Sequence, residues 1–195
     1  GGCCRSSSET GVHMAASYET FLQMKSFVDF NDDDSKNLMS LTPIFQKHGR
    51  GITDAFYETL GRYPDTAAQI EGRVEHLKGT HGLWLLDMLN GTYEEEWFNR
   101  QLRIGLAHVR IGLAPYYVEV VMSLIRSKGL SAMEAEIADA AELHRKYQSL
   151  VKILDLDLLI INLAYSEELF DRLSKATGMR RALIENLMRR PGDRR

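Results

Sequence analysis

The chain has 195 residues, a formal net charge of −3 and a pI of about 6.1. This length suits one domain with a substantial core, and the mildly acidic charge argues against non-specific nucleic-acid binding over the whole surface. Pro is rare, with 4 residues, and good helix formers dominate the long periodic segments, so we predict an all-α fold.

The first 14 residues, GGCCRSSSETGVHM, are typical of an expression tag or cloning scar and are excluded from the fold prediction. The two cysteines, Cys3 and Cys4, are adjacent and give no disulfide framework. No secretory signal is visible, and the most apolar stretch, residues 150–165, is too short and too charged to cross a bilayer. We therefore predict a cytoplasmic protein without membrane insertion.

The first predicted element is a short pre-helix over residues 18–27 that lies on the core. Residues 31–34, Asn-Asp-Asp-Asp, offer N-cap candidates for the next helix, where acidic charge favours the helix dipole. A calcium loop is disfavoured because the later ligands of an EF-hand are missing. This helix is predicted to run to about His48, with a bend at residues 49–51 before a helix over 52–61. Pro64 then opens another helix.

Helices are predicted next over residues 73–90, from Thr92 to Gly112, and over 115–128. Thr92 with Glu95, and Ser131 with Glu134, have the spacing of capping boxes. Gly129 is predicted to break the chain, and no breaker follows between Ser131 and Lys175. The sequence therefore predicts one long last helix.

Apolar residues along this last helix alternate at spacings of four and three, the pattern of a coiled-coil-like seam. The seam consists of Leu143, Tyr147, Leu150, Leu154, Asp157, Ile161 and Ala164. Further apolar residues flank it. A helix with so wide an apolar surface needs both its own core and another partner, so we predict a homodimer through the last two helices, over residues 118–126 and 143–164.

His108 is the most informative single residue. Residues Trp97, Gln101, Ile104, His108 and Ile111 share one helix face, and that face is apolar enough to point inward. A buried imidazole without a partner costs a few kcal/mol. Two explanations stay open: a core histidine bonded to a backbone carbonyl, or a metal ligand, since histidine commonly holds haem iron.

The segment around His108, LAHVRIGLAPYYVEVVMSLI, resembles the proximal segment of the globin-coupled sensors and protoglobins. The resemblance extends over roughly residues 18–170. It implies a globin-like helical sandwich with an N-terminal pre-helix and a long C-terminal helix. It also implies a haem b cofactor, His108 as the proximal iron ligand, and dimerisation through the last two helices.

The same resemblance implies the other contacts of the haem. AFYETL (residues 55–60) resembles the distal segment, in which Tyr57 would hydrogen-bond a gas ligand and Phe56 would pack against the haem. Leu77 corresponds to a distal aliphatic residue and Trp84 to a pocket tryptophan. As an alternative, Tyr57 is a rim tyrosine with its hydroxyl in water.

The roles of His81, of the proximal tyrosine and of Gly105 stay open in this prediction. His81 stands where the family carries an aliphatic residue or methionine, so it is either a sixth iron ligand or an edge residue. Ile104, one turn before His108, is included among the haem contacts. Tyr117 is included too, although either it or Tyr116 could meet the proximal imidazole. Gly105 either relieves crowding against the haem or is a tolerated helix defect.

These inferences predict a haem-based gas sensor domain over residues 15–176, with O2 as the expected signal and CO or NO as other ligands. Residues 177–195 would begin a linker to an output module, and the chain itself would not be an enzyme. The Arg-rich end (residues 180–195) is alternatively a membrane or nucleic-acid contact, but charged termini are usually solvated.

A catalytic globin of the dioxygenase or peroxidase type, with His81 as its distal acid–base group, is one alternative function. A haem-free helical interaction domain is the other.

Overall fold

The computed structural model describes residues 16–189, which form nine α-helices and no strand, so the predicted all-α fold is confirmed for that range. The helices are α1 (Tyr18–Phe27), α2 (Asp32–Ser40), α3 (Thr42–Gly61), α4 (Pro64–Ile70), α5 (Val74–Asp87), α6 (Glu95–Arg110), α7 (Pro115–Glu134), α8 (Ala140–Thr177) and α9 (Arg181–Arg189). The predictions for the tag, the two cysteines and the last arginines fall on residues outside the described range.

The N-terminal elements follow the prediction closely. Helix α1 packs on the core through Phe21, which is fully buried against the rings of Trp97 and Phe98. At the start of α2, the Asn31 side chain accepts a hydrogen bond from the Asp33 amide, while the Asp34 carboxylate accepts one from the Asn31 amide. The predicted pre-helix and N-cap are both confirmed.

The bend predicted at residues 49–51 is wrong, because α3 is continuous from Thr42 to Gly61. The chain instead turns earlier, between Ser40 and Thr42. Gly49 is buried, and a Cβ atom built there would lie 3.5 Å from Leu85 of α5. Gly49 therefore lies in the contact between α3 and α5 and does not break the helix.

Both predicted capping boxes are wrong. Helix α6 begins at Glu95 without any side-chain cap, and Thr92 lies outside it in a turn. Ser131 lies inside α7, because Gly129 does not end that helix: a Cβ there would sit 3.2 Å from Leu150, so the glycine allows a close helix contact. Helix α8 is capped instead by Asp139, whose carboxylate accepts a hydrogen bond from the Glu142 amide.

Helix α8 is the centre of the molecule and packs against α6, α7 and α2. Five of the seven seam residues are buried in the chain's own core: Leu150, Leu154, Asp157, Ile161 and Ala164. Val118, Met122 and Ile125 of α7 are buried there as well. These five seam residues are therefore not available to a second subunit, because α6, α7 and α2 already cover them, whereas Leu143 and Tyr147 are half-buried.

Gly105 marks a close approach of α6 to α8. A Cβ atom at this position would lie 2.7 Å from the Cβ of Ala164 and 3.1 Å from the Cα of Ile161. Gly105 therefore faces α8 and not the space around His108. The predicted role in relieving crowding against a haem is wrong, and the glycine is required by the helix crossing.

Helix α9 folds back on α8 after Gly178, which adopts the left-handed conformation with a φ of +70°. The Arg181 guanidinium binds the carboxylates of both Glu167 and Glu185. Residues 181–189 thus form a helix packed on α8. Across the part of the chain that the structure describes, no helix combines the length and apolar character that spanning a bilayer requires.

Candidate functional site

An apolar cavity of about 310 Å³ lies between α3, α4 and α5 on one side and α6 and α7 on the other. All eight predicted site residues line it: Phe56, Tyr57, Leu77, His81, Trp84, Ile104, His108 and Tyr117. Carbon atoms dominate the wall, with further contributions from Leu60, Ile70, Val121 and Ile125. The sequence therefore located one contiguous pocket.

His108 enters the cavity from α6, near the C-terminal end of that helix. Its Nδ1 atom is buried and has no hydrogen-bond partner among the described residues. Burial lowers the pKa of His108 below its usual value, so the imidazole is neutral at physiological pH. A neutral imidazole is the form that binds a metal. The alternative of a core histidine bonded to a backbone carbonyl is not observed.

Tyr57 of α3 lines the same cavity from the opposite group of helices. The residue is only 8% exposed, and burial raises the pKa of Tyr57 to about 12. The phenol therefore stays protonated and can donate a hydrogen bond. Phe56 fixes its ring through an edge contact, with the two centroids 4.7 Å apart. The side chain of Tyr57 is thus largely buried, unlike that of a tyrosine on an open rim.

His81 of α5 lies beside Tyr57, and its Nδ1 is 2.8 Å from the Oγ1 of Thr53. The ring stacks on Phe56 at a centroid distance of 4.7 Å, and its Nε2 is buried with no hydrogen-bond partner in the described part of the chain. Burial lowers the pKa of His81 to about 4, so this imidazole is neutral too. If Nδ1 donates to Thr53, Nε2 carries a free lone pair, as a metal ligand must.

Trp84 and Tyr117 close two parts of the wall. The Trp84 ring lies 5.2 Å from that of His81, between the cavity and the core. The Tyr117 hydroxyl donates a long hydrogen bond of 3.4 Å to Asp65 and so connects α7 with α4. Tyr116 is 57% exposed and is absent from the cavity wall, so Tyr117 is the cavity tyrosine of the pair.

The other histidines of the described residues lie elsewhere. His76 and His144 are exposed. His48 is half-buried and forms a hydrogen bond of 2.7 Å with Glu136. None of the three lines the cavity.

Comparison with known proteins identifies the fold. The family model described as Protoglobin matches residues 17–170, which is most of the chain. The chain belongs to the protoglobin family. Among solved structures, this protoglobin is similar to the globin domain of the Geobacter sulfurreducens globin-coupled sensor, with 32% identity and a TM-score of 0.71. That match covers 74% of this chain and 96% of the other, and it confirms the predicted globin-like fold.

Two further relatives extend the comparison. The ferric globin domain of E. coli DosC has 15% identity and a TM-score of 0.63, covers 74% of this protoglobin and 98% of its own chain, and shares the fold. The heme-based aerotactic transducer HemAT of Halobacterium salinarum is 27% identical over 170 residues, which is 81% of this protoglobin. The chain spans only 35% of the length of that transducer.

Sequence reasoning missed three polar residues near the site. Thr53 was missed because its role comes only from its packing against α5, a contact between separate helices. Gln101 and Asp157 were seen only as members of apolar stripes, yet both are fully buried. A polar residue in the middle of an apolar stripe was the signal, since such a group needs a partner inside the protein.

Proposed function

We propose that this protoglobin binds one b-type haem in the cavity, with His108 as the axial ligand, and acts as a gas-sensor domain. Oxygen is the proposed signal, and CO and NO are further ligands. One observation carries the proposal: a neutral imidazole and a protonated phenol line the same apolar cavity, from opposite helices.

The residues present fit a haem group. A haem site needs an axial imidazole, an apolar slot and control of the position opposite the ligand. His108 offers a neutral imidazole, and apolar side chains such as Leu77, Trp84 and Ile104 supply the walls. The buried nitrogen atoms of His108 and His81 that lack partners also support a guest molecule, because native proteins rarely leave such atoms unsatisfied.

Haem, when bound, supplies a ferrous iron that takes up diatomic gases reversibly and makes oxygen, but hardly carbon monoxide, partly negative. Tyr57 would then act as the discriminating residue, because its protonated phenol can donate a hydrogen bond, which would favour the more negative ligand. The apolar wall keeps water away from the ligand. Phe56 restricts the Tyr57 ring and so holds its hydroxyl in place.

His81 is proposed as a second imidazole ligand in the ferric or gas-free state. Its free Nε2, its neutral charge and its position on the cavity wall support this role. The hydrogen bond to Thr53 would hold the ring in one orientation. A gas ligand would then compete with His81, and the protein would change between two arrangements of α5.

We propose that α8 transmits this change, because it packs against α6, which carries His108, and against α7. We also propose a homodimer, now through a partly exposed apolar stripe of two pairs at helical spacing: Val120 and Leu124 on α7, and Leu159 and Leu163 on α8. The names of the relatives, a globin-coupled sensor and an aerotactic transducer, support a sensor rather than a catalytic globin. The output module is proposed to lie in a part of the whole protein outside this chain.

Replacement of His108 tests the haem proposal. His108→Ala should abolish or strongly weaken the haem absorption band of the purified protein, because the axial bond is lost. His144→Ala is the matched control: it removes an exposed imidazole from the same protein and should leave the band unchanged. An unaltered haem content and spectrum in His108→Ala would reject His108 as the ligand, and a wild-type protein that binds no haem would reject the whole proposal.

A further inference from the structure

Asp157 of α8 is a fully buried carboxyl group, and neither of its oxygens has a hydrogen bond of ordinary geometry to any described residue. Burial raises the pKa of Asp157 to about 8, the nearby Trp84 side chain lowers it in part, and the charge of Asp87 raises it further. The carboxyl is therefore mostly protonated at neutral pH. A neutral carboxyl can both donate and accept a hydrogen bond.

Gln101 of α6 is the second buried polar group in this region. It is fully buried, and its Nε2 donates a hydrogen bond of 2.9 Å to Asp87 Oδ2. Its Oε1 is buried and has no partner among the described residues. The Nε1 atom of Trp97, one turn earlier on α6, is likewise buried without a partner.

The helix register brings Gln101 and Asp157 together. Helices α6 and α8 run in the same direction, because Gly105 meets Ile161 while Leu113, farther along, accepts a hydrogen bond from Tyr165. Gln101 lies four residues before Gly105, and Asp157 lies four residues before Ile161. Both residues therefore lie about one helical turn before the contact between Gly105 and Ile161. Both also interact with Asp87.

The protonation state decides whether this cluster can satisfy its hydrogen bonds. An ionised Asp157 would only accept hydrogen bonds, so the Gln101 carbonyl oxygen beside it would still lack a donor. A single proton on Asp157 supplies that donor. Its second oxygen then remains free to accept from an indole N–H. One proton on Asp157 therefore allows the unpaired polar atoms of both helices to form hydrogen bonds. Without these bonds, their burial would cost free energy.

We propose that Asp157 is a positioning residue whose protonated carboxyl donates a hydrogen bond to Gln101 Oε1 and thereby joins α8 to α6 and to the Trp84 wall of the cavity. Gln101 lies on the same face of α6 as Ile104 and His108. The bridge is a property of the chain itself; its importance for gas sensing rests on the proposed function.

Other charged groups surround this part of α8 but are paired. They are Asp87 of α5 with Arg100 of α6, Asp34 of α2 with Lys152 of α8, and Arg126 of α7 with Asp155 of α8. Of these groups, Asp87 raises the pKa of Asp157. Among the described residues, no cation contributes to the pKa of Asp157, which is consistent with a neutral carboxyl group.

The pH dependence of stability tests the proton. The pKa of Asp157 is higher in the folded state than in the unfolded chain. The folded protein therefore binds more protons than the unfolded chain at pH values between the ordinary pKa of an aspartate and about 8. Stability from this group is therefore present at low pH and lost as the pH rises through about 8. Asp157→Asn is neutral at every pH and keeps both a donor and an acceptor, so it should fold and lack this dependence.

The measurement is urea unfolding of the full chain, as purified, for the wild type and Asp157→Asn. The unfolding constant of the wild type relative to the variant should rise about tenfold per pH unit, or about a hundredfold between about pH 5.5 and 7.5. Asp155→Asn, an exposed neighbour on the same helix, is the control and should follow the wild type. A ratio that does not change with pH would overturn the protonated state.

Infrared spectroscopy tests the bridge itself. The carboxylic-acid carbonyl band expected at about pH 6 should be absent from Asp157→Asn and unchanged in Asp155→Asn. In Gln101→Met, which removes the acceptor but nearly keeps the volume, the band should shift to higher frequency. No shift would mean that Asp157 bonds elsewhere, such as to a buried water, and would overturn the bridge. Neither readout requires haem, so its failure is distinguishable from failure of the haem proposal.

Discussion

The hydroxyl of Thr53 and the Nδ1 atom of His81 are 2.8 Å apart, so a side chain of α3 fixes a side chain of α5 that lines the cavity. This hydrogen bond uses one ring nitrogen of His81 and leaves Nε2 as the one without a partner. Because His81 also stacks on Phe56, its ring has little freedom to turn. This side of the cavity is thus a defined arrangement of Phe56, Tyr57 and His81, with Thr53 holding the imidazole.

Removal of His81 should change the ferric spin state. If His81 binds the iron, ferric wild-type protein is low-spin, and His81→Ala should be high-spin because a strong-field imidazole is lost. The absorption spectrum of the ferric protein measures this. His76→Ala, which removes an exposed histidine of the same helix, should leave the spectrum unchanged. A high-spin wild type would reject ligation by His81.

Tyr57→Phe should speed the release of oxygen about tenfold or more, because a hydrogen bond to a charged acceptor contributes roughly 1.5–3 kcal/mol. Carbon monoxide release should change much less, since that ligand carries less negative charge. Stopped-flow measurement of both dissociation rates gives the comparison. Tyr63→Phe changes an exposed tyrosine and serves as control. Equal effects on both gases, or none, would remove Tyr57 as the discriminating donor.

Gly105→Ala should destabilise the protein by about 1–3 kcal/mol, because the added methyl group would lie 2.7 Å from Ala164 and must push α6 away from α8. Gly79→Ala, inside α5 with no atom within 4 Å of the added Cβ, should instead be neutral or stabilising by about 0.5–1 kcal/mol. Urea unfolding of both variants measures the difference. Similar stability changes in the two would contradict the close helix crossing.

Val120→Glu should weaken the proposed homodimer, because it places a charge in the apolar stripe on α7 and α8. Val120 is 62% exposed, so the monomer should remain folded. Leu154→Glu would not be a clean test, because Leu154 is fully buried and a charge there would disrupt the core. Sedimentation measures the association state. Leu83→Glu, an exposed position on α5, is the control, and a wild type that sediments as a monomer would end the dimer proposal.

The sequence predicted the features that depend on local pattern. The pre-helix, the Asn31 cap and the helix opened by Pro64 follow from side chains within a few residues of each other. The pocket was located because the stripe around His108 and the distal segment around Tyr57 resemble a known family. The amphipathic face of α6 alone left open whether His108 had a backbone partner, and only the three-dimensional surroundings show that Nδ1 has none.

Three of the errors share one physical cause, because the sequence alone does not distinguish a glycine that breaks a helix from one that lies in a contact between helices. Gly49, Gly105 and Gly129 each face a neighbouring helix at short distance, and tertiary packing offsets their poor helix propensity. The prediction that the apolar seam of α8 contacts a second subunit was wrong at its buried residues for a related reason. Periodicity reveals that a face is apolar, but whether α6 and α7 or a second subunit covers it depends on the chain path.

The carboxylate of Glu167 accepts a hydrogen bond from the Ala16 amide and also binds the guanidinium of Arg181. One side chain of α8 is therefore fastened to the segment before α1 and to the start of α9. A rotation or slide of α8 would strain both attachments together. Helix α8, which packs beside the helix that carries His108, would therefore transmit a movement to two separate points at once, the segment before α1 and the start of α9.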